Sequence, residues 1–517
     1  MDKTLHIRFT SDTHGYLYPT SYADTQERDM GLMKLAGAFP HDHNTLIIDG
    51  GDTLQGSPMT NLYYRLSKDE QKNCLAGEDS GANPFAAMMN LAGYHFVTLG
   101  NHDFNNGVDA LHDYLSQLDA ICLCCNIRDR EGRLPIAPYA IHELHNGLRI
   151  GLVGACTHHV AIWENPETVK QLIIKEPVPI LKSILEEIKP KCDVTVLIYH
   201  GGFECDLDTG RRLTASTENE ACRICEELDF DLILTGHQHI PLSGRQYANS
   251  YLVQPAYRAP HACAVNVTVH DNGRKTIEST LIPAQGEAHR EAAALLAPLE
   301  ARVQQWLDTP AGYLDIALNA EEHLHSAVHG SPLANFINTV QLAASGAQIS
   351  ACALPNEFKG LPQTVTVRDV VSTYIYTNTL VVLEMNRAQL RQYMERSAEY
   401  FDHDAAGNLI ISDEFLRPKV QHYNYDYFSG VDYTVDTTRP CGERVTSIRL
   451  GGREMDENET VSVCINSYRS SGAGDYDFLV GQKILADIQT DVADAMIEYI
   501  VNHPDITVDT HKYCTVL

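Results

Sequence analysis

The chain has few basic residues for its length. Its 517 residues include 39 Lys and Arg against 68 Asp and Glu, which gives a formal net charge of −29. A surface this acidic repels the phosphate backbone of DNA and RNA, so a nucleic-acid polymer is excluded as the main partner. Small anionic substrates stay compatible with this charge, because bound cations reverse the field locally.

Long hydrophobic runs are also missing. No stretch of about 18 apolar residues occurs, so we expect no membrane-spanning helix and no membrane partner. The first residues, MDKTLHIRFTSD, enter a strand-like run at once and lack the basic and apolar regions of a signal peptide. We therefore expect a cytoplasmic protein, unless a leader has been removed. No feature of the sequence indicates an oligomeric state.

Paired cysteine motifs are scarce, although the chain has 14 Cys. Several of these Cys lie in apolar runs, so we expect buried free thiols and, from these, a reducing compartment. Cys222 and Cys225 form a CxxC pair within a predicted helix. A zinc or redox site at this pair is therefore the weaker interpretation.

What the sequence does have is six short apolar runs that each end in residues able to bind metal ions. The runs are rich in Val, Ile and Leu and are bounded by Gly and turn residues, which is typical of buried strands. Polar groups that follow such strands build the active sites of α/β sheets. The runs are FTSDTH (Asp12, His14), LIIDGGD (Asp49, Asp52), FVTLGNHD (Asn101, His102, Asp103), LVGACTHH (His158, His159), VLIYHGG (His200) and LILTGHQH (His237, His239).

Five of these six strand ends together supply enough Asp, Asn and His side chains for two divalent cations. We interpret His158 and His159, at the sixth, as ordinary histidines. Oxygen and imidazole ligands without a thiolate favour Mn, Fe, Zn, Co or Ni. Two such ions about 3.5–4 Å apart suit displacement at phosphorus, since they activate water and neutralise charge on the phosphoryl oxygens. The sequence therefore predicts a binuclear metallohydrolase.

The order of strand-like and helical segments predicts two α/β regions joined by a helix. Residues 1–285 alternate the apolar runs with helical segments such as 83–92 and 178–188, and they end in an antiparallel pair joined by Asp271-Asn272-Gly273. Residues 286–325 form a predicted linker, whose helix over 291–307 is kinked or split at Pro298. Residues 326–517 form the second region. Its predicted helices are 333–344 and 387–400, and its predicted strands are 381–385, 431–435, 445–450 and 461–465.

The set SDTHG, DGGDTLQGSP, TLGNHDFNNG, YHGG and TGHQH resembles the calcineurin-like metallophosphoesterase family, in which two metals share a bridging aspartate. The resemblance implies an α/β fold with an N-terminal αββα-type layered domain. His102 would be the catalytic imidazole, which stabilises and protonates the leaving oxyanion. By motif position the first metal would be held by Asp12, His14, Asp52 and His239, and the second by Asp52, Asn101, His200 and His237.

The second region resembles the C-terminal domain of the 5′-nucleotidase family in GSPLANFINTV, TYIYTNTL, YNYDYFSGVDYTVD and CINSYRSSGAGDYDFL. In that family two aromatic rings of this domain sandwich the base, and motif position assigns them to Tyr376 and Tyr468. Stacking of this kind tolerates any base, so we expect a broad nucleoside preference. Lys359 lies where relatives carry a glycine-rich segment with arginine, and it is the candidate for an anion contact there.

One residue near the predicted catalytic imidazole departs from the 5′-nucleotidase pattern. Many members have an Asp three residues after the histidine, whereas this chain has Asn105, which accepts a hydrogen bond but carries no charge. Asn105, TYIYTNTL and MERSAEYF resemble the branch with 2′,3′-cyclic-nucleotide 2′-phosphodiesterase and 3′-nucleotidase activity, and this is the function we expect, on small nucleotides.

Three alternatives stay open. The runner-up is a 5′-nucleotidase or nucleotide-sugar hydrolase, which shares the metal core and the base-binding domain. A non-catalytic nucleotide-binding protein is disfavoured because every expected ligand position is filled. A protein phosphatase on the same metal core is disfavoured because a protein substrate needs no base sandwich.

Overall fold

The computed structural model describes residues 2–77, 81–212, 217–376, 378–417, 420–488, 490–503 and 505–517, without the side chain of Trp163. The chain forms two compact units. The first comprises the residues up to Ser21 together with Thr25–Gln304, and the second comprises Tyr22–Asp24 together with Gln305–Leu517. No helix in the described ranges is long and apolar enough to cross a membrane.

The first unit is built on two large β-sheets. One has the strand order β15-β14-β1-β2-β3-β4-β6, the other has the order β12-β13-β11-β10-β8-β7, and β5 pairs with β9. The strands are β1 Lys3–Thr10, β2 Thr45–Asp49, β3 Phe96–Val97, β4 Ile121–Leu123, β5 Ile127–Asp129, β6 Ile136–Ala137, β7 Tyr139–Glu143, β8 Arg149–Cys156, β9 Leu172–Ile174, β10 Val194–His200, β11 Leu232–Thr235, β12 Leu242–Tyr247, β13 Ser250–Gln254, β14 His261–Val269 and β15 Lys275–Pro283.

All six predicted strand runs are confirmed, as β1, β2, β3, β8, β10 and β11. The predicted closing pair is also confirmed, because β14 and β15 pair antiparallel on either side of the Asp271 turn. The two sheets share one buried core, to which Ile7 and Ile48 contribute from the first sheet and Leu152 and Ile198 from the second. Burial of one face in this core and of the other face beneath helices explains why runs such as β8 and β10 are continuously apolar.

Helices flank the sheets of the first unit. Leu181 of α8 and Ile224 of α9 pack with Val153 and Leu197 of the second sheet in a separate buried cluster. Asn83 caps α4 by accepting from the N–H groups of Phe85 and Ala86. The helices are α1 Leu32–Gly37, α2 Pro58–Arg65, α3 Lys68–Gln71, α4 Pro84–Leu91, α5 Gly107–Ser116, α6 Val160–Trp163, α7 Pro166–Val169, α8 Pro177–Ile188, α9 Ala221–Glu227 and α10 Arg290–Leu307, with 3-10 turns at Asn101–Phe104 and Lys189–Lys191.

The predicted linker helix is present as α10, but it is not split at Pro298. The helix runs from Arg290 to Leu307 with the proline inside it. Leu296 and Leu299, on either side of the proline, are both fully buried. Their packing holds the helix together where the proline removes one backbone hydrogen bond.

The second unit also mixes helices and strands, around a five-stranded sheet of order β24-β18-β28-β21-β29 and a four-stranded sheet of order β27-β26-β25-β31. Its strands are β16 Pro310–Leu314, β17 Leu318–Asn319, β18 Ile349–Ala353, β19 Gly360–Leu361, β20 Thr364–Thr366, β21 Leu380–Asn386, β22 Phe401–His403, β23 Leu409–Ile411, β24 Asp426–Ser429, β25 Asp432–Val435, β26 Val445–Leu450, β27 Arg453–Glu454, β28 Thr460–Asn466, β29 Ile484–Ile488, β30 Asp505–Ile506 and β31 Cys514–Val516.

The helices of the second unit are α11 His323–His329, α12 Pro332–Ser345, α13 Val367–Thr373, α14 Arg387–Ala398, α15 Ser467–Ser470 and α16 Val492–Asn502, with 3-10 turns at Asp413–Phe415, His422–Asn424 and Asp477–Leu479. The two helices predicted here are confirmed as α12 and α14, and the four predicted strands as β21, β25, β26 and β28.

Two cysteines correct the prediction of free thiols. Cys205 and Cys222 form a disulfide, with their Cα atoms 6.2 Å apart, while the other cysteines are free and mostly buried. Cys222 and Cys225 do lie in a helix, α9, but the partner of Cys222 comes from the segment after β10. The inference of a reducing compartment therefore loses the support of these two residues, since disulfides persist in oxidising environments.

Candidate functional site

The predicted metal ligands follow the ends of neighbouring strands. β1 pairs in parallel with β2, β2 with β3, and β10 with β11. Parallel strands end at the same edge of a sheet, so the residues that follow them meet there. His200 is the last residue of β10.

The backbone of these strand-end segments is strained at the ligands themselves. A left-handed φ is costly for any residue except glycine, and it persists where the surroundings enforce it. Gly51, beside Asp52, also has a positive φ of 91°, and a Cβ there would lie 2.3 Å from the Gly100 nitrogen. Five of the seven predicted ligands have positive φ: Asp12 (54°), His14 (48°), Asp52 (59°), His237 (73°) and His239 (59°).

Asp12, His14 and His239 form the first of two ligand groups in the described residues. The Nε2 atoms of His14 and His239 lie 3.1 Å apart, and His239 Nε2 lies 3.4 Å from Asp12 Oδ1. His14 Nδ1 donates to the Gln55 carbonyl at 3.0 Å, which leaves a lone pair on Nε2 of the neutral ring. One carboxylate and two imidazole nitrogens therefore converge on one point, as they do around a cation.

Asp52, His200 and His237 form the second group. His200 Nδ1 donates to the Gly50 carbonyl at 2.7 Å, and its Nε2 lies 3.1 Å from Asp52 Oδ2 and 3.2 Å from Asn101 Oδ1. Asp52 Oδ2 is buried and makes no hydrogen bond of acceptable geometry with a described residue. A buried carboxylate oxygen without a hydrogen bond is costly, and a bound metal ion would satisfy it.

His237 joins this group through Nδ1, which lies 2.8 Å from Asn101 Oδ1. Its other nitrogen, Nε2, donates to Glu218 Oε1 at 2.8 Å. A carboxylate in this position fixes the tautomer of a metal-binding histidine and orients its ring. Glu218 was not predicted from the sequence, because it lies in the loop before α9, far from any strand end.

The charges in the site favour positive ions. Burial by itself would lower the pKa of His200, but the neighbouring Asp52 carboxylate raises it to about 10. Burial would raise the pKa of Asp12, but its hydrogen bond with His239 and the nearby His200 lower it to about 2. Carboxylates that stay ionised while fully buried need cationic partners. The hard oxygen and imidazole donors of both groups therefore fit divalent metal ions.

His102 lies beside the second group on the 3-10 turn Asn101–Phe104. Its backbone N–H donates to Asp52 Oδ1 at 2.7 Å, and its ring centroid lies 5.5 Å from that of His14. Its Nδ1 contacts Asn105 Oδ1 at 2.8 Å, as the spacing of the two residues predicts. Asn105 in turn donates from Nδ2 to Glu164 Oε2 at 2.9 Å, a contact for which the sequence gives no signal.

In the second unit, Tyr376 and Tyr468 both lie next to a third ring, Tyr423. The Tyr423 centroid is 6.4 Å from each of them, at interplanar angles of 67° and 73°. Tyr468 is 39% exposed, so its face is accessible to a ligand. Lys359 is exposed and makes no hydrogen bond or ion pair with another described residue.

A buried ion pair supports this tyrosine cluster. Arg469, next to Tyr468, is only 1% exposed and bonds both oxygens of Asp426, Nε to Oδ2 at 2.7 Å and Nη2 to Oδ1 at 3.0 Å. Its Nη2 also donates to the Tyr423 carbonyl at 3.0 Å. Arg469 therefore fixes the backbone of Tyr423 and the start of the loop after Tyr468.

Sequence profiles of two families match the chain. The calcineurin-like phosphoesterase profile matches residues 5–241, and the profile of the 5′-nucleotidase C-terminal domain matches residues 315–481. A candidate 5′-nucleotidase from Staphylococcus aureus, solved in complex with alpha-ketoglutarate, is 30% identical. That alignment covers 99% of this chain and 100% of the other, with a TM-score of 0.78.

Two curated relatives are more distant. The 2′,3′-cyclic-nucleotide 2′-phosphodiesterase/3′-nucleotidase of Salmonella typhimurium is 24% identical over 544 residues, which cover 90% of this chain and 81% of that protein. The trifunctional nucleotide phosphoesterase protein YfkN of Bacillus subtilis is 22% identical over 97% of this chain. This chain spans only 38% of the length of that protein.

Proposed function

Since the chain belongs to the calcineurin-like phosphoesterases that carry a 5′-nucleotidase C-terminal domain, and is thus a hydrolytic enzyme, we propose that it hydrolyses phosphoesters of small nucleotides, 2′,3′-cyclic nucleotides and 3′-nucleotides first. The observation that carries this proposal is the pair of side-chain groups that could each hold a metal ion, Asp12 with His14 and His239, and Asp52 with His200 and His237. The matched second domain and its tyrosine cluster support a nucleotide as the substrate.

Two divalent cations would be held by the seven predicted ligands, with Asp52 shared between them. Asp12, His14, Asp52 and His239 form the first set, and Asp52, Asn101, His200 and His237 form the second. Such ions lower the pKa of bound water and neutralise charge on the phosphoryl oxygens. Asp52 suits the shared position because one of its oxygens accepts the His102 N–H while the other makes no hydrogen bond with a described residue.

His102 would serve the leaving group. As the ester P–O bond breaks, its electron pair stays on the leaving oxygen. That oxygen takes the Nε2 proton of His102, which acts in its doubly protonated imidazolium form and is left as the neutral ring with its proton on Nδ1. The contact of Nδ1 with Asn105 supports this role, because it leaves Nε2 as the nitrogen that faces the substrate. General acid catalysis of this kind contributes about 10²–10⁴-fold to the rate.

Tyr376 and Tyr468 would stack on the base of the nucleotide. Base–aromatic stacking contributes about 1–3 kcal/mol per base and does not depend on which base is bound. The ring of Tyr423, which lies edge-on to both, would close one side of that site. Lys359 would contact an anionic group of the substrate as a single, solvated charge.

A specific observation favours the cyclic phosphodiesterase and 3′-nucleotidase activities over the 5′-nucleotidase activity. The residue bonded to the proposed proton donor is Asn105, not an aspartate. The Salmonella typhimurium relative carries the former activities in its name. The second candidate, hydrolysis of 5′-nucleotides, is supported by the Staphylococcus aureus relative.

The test is phosphate or nucleoside release from 2′,3′-cAMP, 3′-AMP, 5′-AMP and UDP-glucose with added Mn²⁺, each with and without a chelator. We expect the first two substrates to have the largest kcat/KM, and the chelator to abolish turnover. A larger kcat/KM for 5′-AMP or UDP-glucose would support the second candidate. No hydrolysis of any nucleotide with Mn²⁺, Zn²⁺ or Co²⁺ would leave only a nucleotide-binding role.

A further inference from the structure

Glu164 is a buried carboxylate that the reaction described above does not use. It is 6% exposed and lies directly after α6. Its Oε1 accepts from the Asn165 N–H at 2.6 Å, and its Oε2 accepts from Asn105 Nδ2 at 2.9 Å. Within the described ranges no Lys or Arg forms an ion pair with it. A buried carboxylate without a cationic partner calls for an explanation.

Glu164 accepts both of these hydrogen bonds and donates neither. Burial raises the pKa of Glu164, while the hydrogen bonds that it accepts from Asn165 and Asn105 oppose this shift. In its ionised form the carboxylate accepts and never donates, so Asn105 presents its Nδ2 group to Glu164 Oε2. The amide oxygen of Asn105 then faces His102 Nδ1, and because that oxygen also only accepts, Nδ1 must be the donor. Asn105 alone does not fix this order, since an amide can turn over and present either end.

From this order we propose that Glu164 is a positioning residue. Acting through Asn105, it keeps one proton of His102 on Nδ1, so that the second proton of the imidazolium form lies on Nε2, toward the leaving group, and it supplies the negative charge that Asn105 lacks. This inference rests on the proposed function, because it concerns the residue that would protonate the leaving oxygen. The sequence gives no signal for it, because Glu164 lies 59 residues from Asn105 along the chain.

The local backbone supports this arrangement. His102 lies in the 3-10 turn Asn101–Phe104, and Asn105 directly follows that turn, three residues after His102. The backbone N–H of His102 donates to Asp52 Oδ1, which anchors the residue, and Asn105 Oδ1 contacts the ring at Nδ1.

The first experiment compares three variants, Glu164→Gln, Asn105→Asp and the double variant, in 3′-AMP hydrolysis. We expect Glu164→Gln to lower kcat by about 10- to 100-fold, part of the effect of a general acid. Asn105→Asp alone should also be slow, because two carboxylates would then face each other at the present 2.9 Å contact.

The double variant should recover kcat to within about fivefold of wild type, since the new aspartate supplies the charge directly and the glutamine donates to it. A double variant no faster than the slower single variant would overturn the proposal. The matched control is Glu167→Gln, the same change from carboxylate to amide at an exposed side chain three residues further along the chain. It should leave kcat unchanged.

The second experiment separates positioning of the proton donor from a structural role. p-Nitrophenyl phosphate has a leaving group that needs little protonation, so Glu164→Gln should change its kcat by less than about threefold while 3′-AMP hydrolysis falls. An equal loss on both substrates, or a loss of bound metal, would assign Glu164 a structural role. A wild-type enzyme that hydrolyses p-nitrophenyl phosphate but no nucleotide would instead contradict the proposed function.

The third readout does not depend on turnover. In the zinc-loaded protein, ¹⁵N chemical shifts of the imidazoles report which ring nitrogen carries the proton. The measurement is made above the pH at which His102 loses its Nε2 proton, so that the ring is neutral. His102, identified by comparison with His102→Gln, should then keep its remaining proton on Nδ1 in the wild type and in the double variant. It should become a mixture of tautomers in Glu164→Gln. The same Nδ1 tautomer in all three proteins would overturn the proposal.

Discussion

The metal-ligand groups and the tyrosine cluster are built in opposite ways. Asp52 and His200 are almost fully buried at strand ends of a shared β-sheet core, and their neighbours have strained backbones. Tyr468 is 39% exposed on a short helix, and Tyr376 lies in a loop. Under the proposed function, the first region would fix a reaction through geometry and charge, while the second would offer flat ring surfaces that accept many bases. The difference indicates that the chemistry depends on the fold, and substrate choice on a few side chains.

The largest effect is expected at Asp52, in the buried region. Asp52→Asn removes the charge of the carboxylate that the two metal ions would share under the proposed function. We expect kcat for 3′-AMP to fall by about 10³-fold or more, since bound metals contribute several kcal/mol to such reactions. Steady-state kinetics together with metal analysis by mass spectrometry measures both consequences. The bound metal should fall below two ions per chain.

Asp69→Asn is the control for Asp52→Asn, because the Asp69 side chain is 95% exposed and lies far from the ligands in sequence. It should leave kcat and metal content unchanged. An Asp52→Asn enzyme that retains two metals and more than a tenth of the wild-type kcat would show that the buried region does not carry the chemistry.

This comparison also explains what the sequence could reveal. Strand-end ligands such as Asp12 and His200 follow apolar runs, so the pattern that predicts the strand also predicts the ligand. All seven predicted ligands lie in or beside the two groups that the structure brings together. Burial forces the runs to be apolar and the topology forces their ends to meet, which is why the layered fold and these residues were predictable.

Residues held by loops were not predictable in this way. Glu218 and Glu164 reach His237 and Asn105 from segments without strand or helix periodicity, and the partner of Cys222 is likewise set by the path of a loop. Contacts of this kind form between segments that meet only in the folded protein, so they leave no periodic pattern in the local sequence. For the same reason Tyr423 was not singled out, although it lies beside both predicted tyrosines.

The exposed tyrosine cluster is nevertheless supported by the buried ion pair of Arg469 and Asp426, and a second variant tests this support. Asp426→Asn removes the partner of the buried Arg469 and should lower the free energy of unfolding of the second unit by about 3–5 kcal/mol. Urea unfolding followed by tyrosine fluorescence measures the shift. The matched control is Glu459→Gln at the exposed pair with Arg453, where we expect about 0–1 kcal/mol. Equal shifts for both variants would contradict this account of the cluster.

A smaller effect is expected at the surface of that cluster. Tyr468→Ala should raise KM for 3′-AMP by about 5- to 150-fold, the equivalent of 1–3 kcal/mol of stacking, with little change in kcat. Tyr468→Phe keeps the ring and should stay within about twofold of wild type. KM for p-nitrophenyl phosphate, which has no base, serves as the internal control. A similar rise in KM for both substrates would remove the proposed role in base binding.

The smallest effect is expected at Lys359, the most solvated of the predicted substrate contacts. Its side chain is exposed, so the charge is screened, and Lys359→Ala should raise KM for 3′-AMP by less than about fivefold, equivalent to at most 1 kcal/mol. The difference should vanish in about 1 M NaCl, where the Debye length is roughly 3 Å, while the effect of Asp52→Asn persists. A larger rise that survives high salt would mean that Lys359 is buried against the bound substrate. Lys359 would then be a buried residue of the second region that acts through its charge, which contradicts the description of that region as exposed and dependent on stacking.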